Sequence, residues 1–191
     1  MWSSPLFWIA VAIALFWALG AYNRLMRLRS AVAQAFGGFD AHMVRLIALL
    51  GEWGAAQAVQ PHAPERATAG GGGTDQDIAA LQGATVQLGA SLAVARARPL
   101  QPDAVAALSA ARDVLHASWH KAMGREALAA ARVEAAIPAS PWQTRWDDHL
   151  QQNEQAIHVF NEAVAQYNAA VAQFPASVLA WVFGFKAARK L

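Results

Sequence analysis

The stretch PLFWIAVAIALFWALGAY, residues 5–22, carries no charged side chain and is apolar on every face of a helix. A helix on a protein surface keeps a polar face and does not read this way. As a helix, its eighteen residues rise about 27 Å, close to the roughly 30 Å of a bilayer's hydrocarbon core. Trp2, Trp8, Trp17 and Tyr22 supply aromatic rings suited to the membrane interface. The pattern predicts a transmembrane helix over 1–22. A core helix is the first alternative, and the run's place at the N-terminus argues against it. A cleaved signal peptide is the stronger competitor, because Ala18-Leu19-Gly20 loosely resembles a small-x-small cleavage site. Such signals carry a basic segment ahead of the apolar run, and no basic residue precedes this one. The chain has no cysteine, which excludes a lipoprotein box, disulfide staples and thiolate metal sites.

Arg24, Arg27 and Arg29 follow the apolar run at once. Basic residues are retained on the cytoplasmic side, so the expected topology is single-pass, N-terminus outside and body in the cytoplasm. In a bacterium that places the protein in the inner membrane. The net charge of +2 gives no ground for nucleic-acid binding. The lipid bilayer is the partner the sequence names. Protein partners of unstated identity and self-association are further expectations.

No proline interrupts the chain between Pro5 and Pro61, so the span is expected to run straight into a second apolar pattern. Leu25, Leu28, Val32, Phe36, Phe39, Met43, Leu46, Leu50 and Trp53 step by three and four, as in the seam of a helical bundle. Gly37-Gly38 reads as a close-packing point or a mild kink, with a break in the helix as the alternative. QPHAPERATAGGGGT, residues 60–74, reads as a flexible linker, since prolines and consecutive glycines oppose helix. A phosphate-binding loop is the wrong reading there, because no Lys-Ser/Thr follows the glycines.

A second helix is expected near Asp75–Arg98, capped by Thr74 with Asp77 in its first turn. Its seam is Ile78, Leu81, Thr85, Leu88, Leu92 and Ala95. RPLQPD turns the chain into a third helix near Asp103–Ile137, with seam positions Val105, Leu108, Ala111, Leu115, Trp119 and Ala122. IPASP ends it, and Ser140, Pro141 and Gln143 form a cap, first-turn proline and third-position set for helix four. There Trp146, Leu150, Asn153, Ile157, Phe160, Val164, Tyr167, Val171 and Phe174 alternate by four and three. That sustained heptad predicts a bundle seam with an aromatic ladder inside it, with a ligand groove as the alternative. Asn153 falls in the seam and would fix register. Asn161 and Asn168 fall just beside it, where an amide can bond a neighbouring helix. The fold class is therefore all-α. The transmembrane helix continues into an antiparallel up-down-up-down four-helix bundle, residues 23–175, and a short apolar and basic segment, 176–191, follows.

YNRLMRLR directly after a lone span, and FNEAVAQYNAAVAQFP followed by VFGFK, are similar to the LemA family. The match covers roughly Tyr22–Leu50 and Trp142–Lys186. Phe160 stands where that family usually has Tyr, and LIALLGEW lacks the proline of the family's LIPNL. The resemblance implies a bacterial membrane-anchored helical bundle with a cytoplasmic body. It carries no catalytic residues.

Chemistry-bearing clusters are sparse. His116 and His120 are spaced i, i+4 and could share a metal, with His149 or His158 as a third ligand. HASWH lacks the Glu of the zinc-protease pattern, and Glu154 with His158 lacks the spacing of a di-iron pair. Asp147 and Asp148 are adjacent and point to different faces. Surface roles are expected for all of these, with no activated nucleophile, no cofactor and no enzyme activity. Val178, Leu179, Trp181, Val182, Phe183 and Phe185 form a segment too short to span a bilayer. The helix order returns it to the membrane, as an interfacial anchor or as a cap under the bundle. Lys186, Arg189 and Lys190 would then join the three N-terminal arginines near the headgroups. The function expected is a non-enzymatic scaffold or adaptor for protein–protein or membrane organisation. A ligand-binding sensor and a periplasm-facing bundle are the alternatives.

Overall fold

The computed structural model describes residues 5–59, 71–131, 140–174 and 176–191. They form five helices: α1 Pro5–Val59, α2 Gly71–Ala97, α3 Pro102–Ala131, α4 Pro141–Ala172 and α5 Ala176–Phe183. No strand occurs among the described residues. The 55 residues of α1 make one continuous helix about 82 Å long. Gly37 and Gly38 lie inside it, exposed and with open space where a Cβ would stand. They mark neither a break nor a close approach.

Cross-helix pairs set the topology. Arg145 of α4 meets Glu52 of α1, Phe160 meets Phe36, and Phe174 beyond α4 meets Trp17. α4 thus runs antiparallel to α1 over nearly its whole length. Arg96 of α2 meets Asp40 of α1, and Gln82 lies by Gly54, so α2 is antiparallel to α1 too. α3 returns along α2 through a turn closed by the Gln101 N–H donating to the Arg98 carbonyl at 3.0 Å. The α2–α3 hairpin starts only at the level of Asp40 and covers the half of α1 distal to the span.

The predicted seams fill the core. Leu25, Val32, Phe36, Phe39, Met43, Leu46, Leu50 and Trp53 are buried, with Leu28 half-buried. So are Leu81, Leu88, Leu92 and Ala95 of α2, and all six named positions of α3. On α4 Trp146, Asn153, Phe160, Val164 and Tyr167 are buried, while Leu150, Ile157 and Val171 are half-buried at the edge. Phe174 departs from the pattern at 77% exposure. The helix stops at Ala172 and Gln173 is extended (φ −80°, ψ 135°). Pro175 follows Phe174 in the sequence, and a residue before proline resists the helical region, so the heptad ends one aromatic early.

Three local expectations are corrected. α2 begins at Gly71, so Thr74 lies inside the helix and does not cap it. Asp77 consequently sits deeper than the first turn and is 3% exposed. Lys121 Nζ lies 3.0 Å from its Oδ1 and Arg125 Nε 2.7 Å from its Oδ2, both from α3. A buried carboxylate needs such partners, because an unpaired one would cost several kcal/mol, on the order of 3–5. Ser140 occupies the position before α4 without a side-chain cap, and Gln143 Nε2 donates forward to Asp147 Oδ1 at 2.9 Å. Residues 60–70 of the expected linker, 132–137 of the third helix, Trp2 and Pro175 lie outside the described residues.

Candidate functional site

Two regions concentrate polar chemistry or exposed apolar surface: the end of the bundle beside the span, and the distal end. At the first, α1 serves as a depth gauge. Its residues from Leu6 to Leu19 expose large side chains, among them Trp8 at 64% and Phe16 at 84%. Helices Pro5–Val59 and Asp75–Ala97 are both long and apolar enough to cross a membrane. The second gives Leu81, Leu88 and Leu92 to the bundle core, as a core helix does. The first keeps its most apolar stretch wholly unburied.

α5 packs beside this stretch. Ala176 and Ala180 are its buried residues, and Ala176 clusters with Leu25 of α1 and Ala170 of α4. Its large residues face outward, with Trp181 85% exposed and Val178, Val182 and Phe183 also exposed. The ring of Phe183 lies 5.5 Å from that of Tyr22, and Phe174 lies 5.8 Å from Trp17. These aromatics stand level with residues 17–22, within the uncharged run and on the N-terminal side of Arg24, Arg27 and Arg29. The three arginines are exposed. A shallow groove of about 410 Å³ separates span from bundle here, lined by Phe16, Trp17, Gly20, Arg24 and Phe174. The segment divides between the two expected roles: Ala176, Ala180 and Phe185 pack against the bundle, and Val178, Trp181, Val182 and Phe183 leave apolar surface exposed.

The chain then reverses. The Phe185 N–H donates to the Ala180 carbonyl at 2.8 Å, and Gly184 adopts φ 69°. This is a Schellman ending, which needs a left-handed residue that glycine supplies without strain. The tail, residues 185–191, runs back along α4 away from the span. Asn168 Nδ2 donates to the Ala188 carbonyl, and the Ala188 N–H donates to Asn168 Oδ1, both at 2.8 Å. Seven residues earlier, Asn161 repeats the exchange with Leu191 at 3.0 and 2.8 Å. The Tyr167 hydroxyl donates to the Lys186 carbonyl at 3.2 Å. Burial raises that phenol's pKa, with Arg29 opposing the rise.

The spacing has a simple origin. Seven residues of α-helix rise about 10.5 Å. Three residues of extended chain rise about 9–10 Å. Two asparagines one heptad apart therefore grip an extended chain at every third residue. Phe185, Ala188 and Leu191, three apart, are the residues turned inward, while Lys186, Ala187, Arg189 and Lys190 are exposed. Ala188 belongs to the main core cluster, and Leu191 and Leu100 of the α2–α3 turn pack against it.

The asparagines thus bond an extended tail and not a neighbouring helix. Lys186 stays near the α5 turn, but Arg189 and Lys190 run with the tail toward Asn161, away from the arginines following the span. The readable signal was the joint periodicity, Asn at heptad spacing together with Phe-x-x-Ala-x-x-Leu at the end.

At the distal end Trp119 stacks on Trp146 at 4.6 Å, with Trp53 edge-on to Trp119 at 5.7 Å. His116 sits edge-on to Trp146 at 5.5 Å. The three indole nitrogens, His116 Nε2 and Asn153 Oδ1 are buried without hydrogen-bond partners. Burial lowers the pKa of His116, with Arg112 and His120 adding to the effect and Asp113 and Glu154 opposing it. Burial also lowers that of His149, helped by Arg145, His42 and Arg45 against Asp148. His120 and His158 are exposed. Among the described residues no three His, Asp or Glu side chains are placed to hold a metal ion.

Comparison with protein-family models, with curated proteins and with solved structures finds no match.

Proposed function

We propose that this chain is a LemA-like, single-pass membrane protein whose helical bundle stands on the cytoplasmic side of a bacterial inner membrane as a non-enzymatic scaffold or adaptor. One observation carries the anchored reading. The exposed apolar residues of α5 and Phe174 pack at the level of Trp17 and Tyr22, inside the uncharged run. An exposed apolar surface at that depth is satisfied by lipid and would be costly in water. The arginines that follow support the cytoplasmic orientation. The seams are filled by side chains from facing helices, which supports a body that presents surfaces to other proteins.

Photo-crosslinking in native membranes from exposed positions of α3 and α4 tests the scaffold reading. Defined protein adducts are expected. Adducts to lipid alone would count against it. Full-length protein is also expected to stay in the membrane through alkaline extraction with residues 1–22 attached. A mature N-terminus near Ala21 would remove the anchor from the account.

A ligand-binding sensor is the second reading. The unpartnered indole and imidazole nitrogens around Trp119 and Trp146 favour it. A small molecule that co-purifies and is lost on Trp119→Phe would establish it.

A further inference from the structure

The hydrogen bonds that hold residues 185–191 on α4 all go to the tail's main chain, beside the apolar packing of Phe185, Ala188 and Leu191. Asn161 and Asn168 each exchange two hydrogen bonds with the peptide backbone, and Tyr167 donates a fifth. None reads a side chain. The occupant need only be extended, small at the Ala188 position and apolar three residues to either side. Ala188 is 7% exposed, so a larger residue there would not fit. The tail is joined to α5 through Gly184, the one positive-φ glycine among the described residues. Release turns the chain at this joint and also gives up the Phe185 N–H bond to Ala180 and the packing of Phe185 beside Leu25 and Ala176.

We propose that the Asn161–Tyr167–Asn168 face of α4 is a receptor for an extended polypeptide, and that its partner in trans is the 185–191 segment of a second copy of this chain. Every copy carries an occupant of the required pattern, with Phe185, Ala188 and Leu191 inward. The step rests on the anchored reading in one respect. Copies held in one bilayer keep their receptors and tails at equal height, which raises the effective concentration of one for the other. Exchange of an identical terminal segment creates no new type of contact and so links protomers at low cost. Lys186, Arg189 and Lys190 remain exposed and free to follow the segment onto the neighbour.

The lack of native cysteine makes the test direct. Ala169 on α4 and Ala187 on the tail are both exposed and flank the Asn168–Ala188 pair. Full-length copies with different tags, one carrying Ala169→Cys and the other Ala187→Cys, are co-expressed and treated in membranes with a short bis-maleimide. A mixed adduct bearing both tags is expected. It should fall at least about tenfold when Asn161→Ala and Asn168→Ala are added to the Ala169→Cys copy, because four hydrogen bonds are lost. A single chain carrying both cysteines shows that the positions pair and that the variants fold. An intramolecular adduct there with no mixed adduct at any expression level would overturn exchange. A mixed adduct that survives both asparagine replacements would also overturn it, since proximity alone then suffices. If neither adduct forms, the tail does not dock and the receptor assignment fails. Mixed adducts bearing both tags but formed in detergent as readily as in membranes would support exchange while removing the bilayer's part in it.

Discussion

Asn168 and Tyr167 illustrate how adjacent residues divide labour on one helix. Tyr167 turns its ring into the core at 2% exposure and leaves its hydroxyl for the Lys186 carbonyl. Asn168 spends its whole amide on the Ala188 backbone. Asn168→Ala is therefore expected to cost about 2 kcal/mol, roughly 1 for each bond lost. Tyr167→Phe should cost about 0.5–1.5 kcal/mol, and Tyr167→Ala about 3–5, because it empties the core position. Chemical denaturation of the full-length protein in detergent checks the order. Hydrogen exchange on Asn168→Ala should show protection lost at the Ala188 and Leu191 amides while that of α2 and α3 is unchanged. Unaltered protection at Ala188 would mean the amide bonds carry no stability.

At the scale of elements, α1, α3 and the α4 heptad were legible because their apolar residues recur every three or four positions. That period requires only a helix with one buried face. The same rule placed Phe160 and Tyr167 inside and failed at Phe174, where Pro175 outweighs the periodicity. It also missed the tail, whose inward residues recur at three in a non-helical segment. Asp77 was read from its distance to a helix start that lies four residues earlier than the glycines suggested; its role comes from Lys121 and Arg125, far along the chain. The distal corner, where α3 meets α4, has a pH dependence with a definite sign. His116 and His149 have folded-state pKa values below the ordinary value near 6.5. Unfolding at lower pH then takes up protons. Their contribution to stability is complete above about pH 6.5 and is lost as pH falls through the lowered folded values. Melting temperature should drop between pH 7.5 and pH 5, and His116→Gln should flatten part of that drop. A melting temperature that rises on acidification would reverse the assigned burial.

On the scale of the whole molecule, the proposed anchor and a large part of the core belong to one helix. The apolar run of α1 leads without a break into Leu25, Val32 and Phe36, so if the run spans a bilayer as proposed, the bundle's height above it is set by covalent geometry. About 33 helical residues separate Tyr22 from Ala55, a distance of roughly 50 Å. α5 reaches back to the level of Tyr22, and the tail then carries Arg189 down toward Asn161. Three depths follow from the anchored reading: α5 at the lipid boundary, the tail outside it, and the end of α1 remote. In the cysteine-free chain a spin label at Trp181→Cys, Arg189→Cys or Ala55→Cys, reconstituted full length in bilayers, reads each depth from its relative accessibility to oxygen and to a water-soluble nickel chelate. A lipid-like oxygen preference is expected at 181, and access to the chelate at both 189 and 55. A label at 181 as open to the chelate as that at 55, or an oxygen preference at 55, would contradict the anchored bundle.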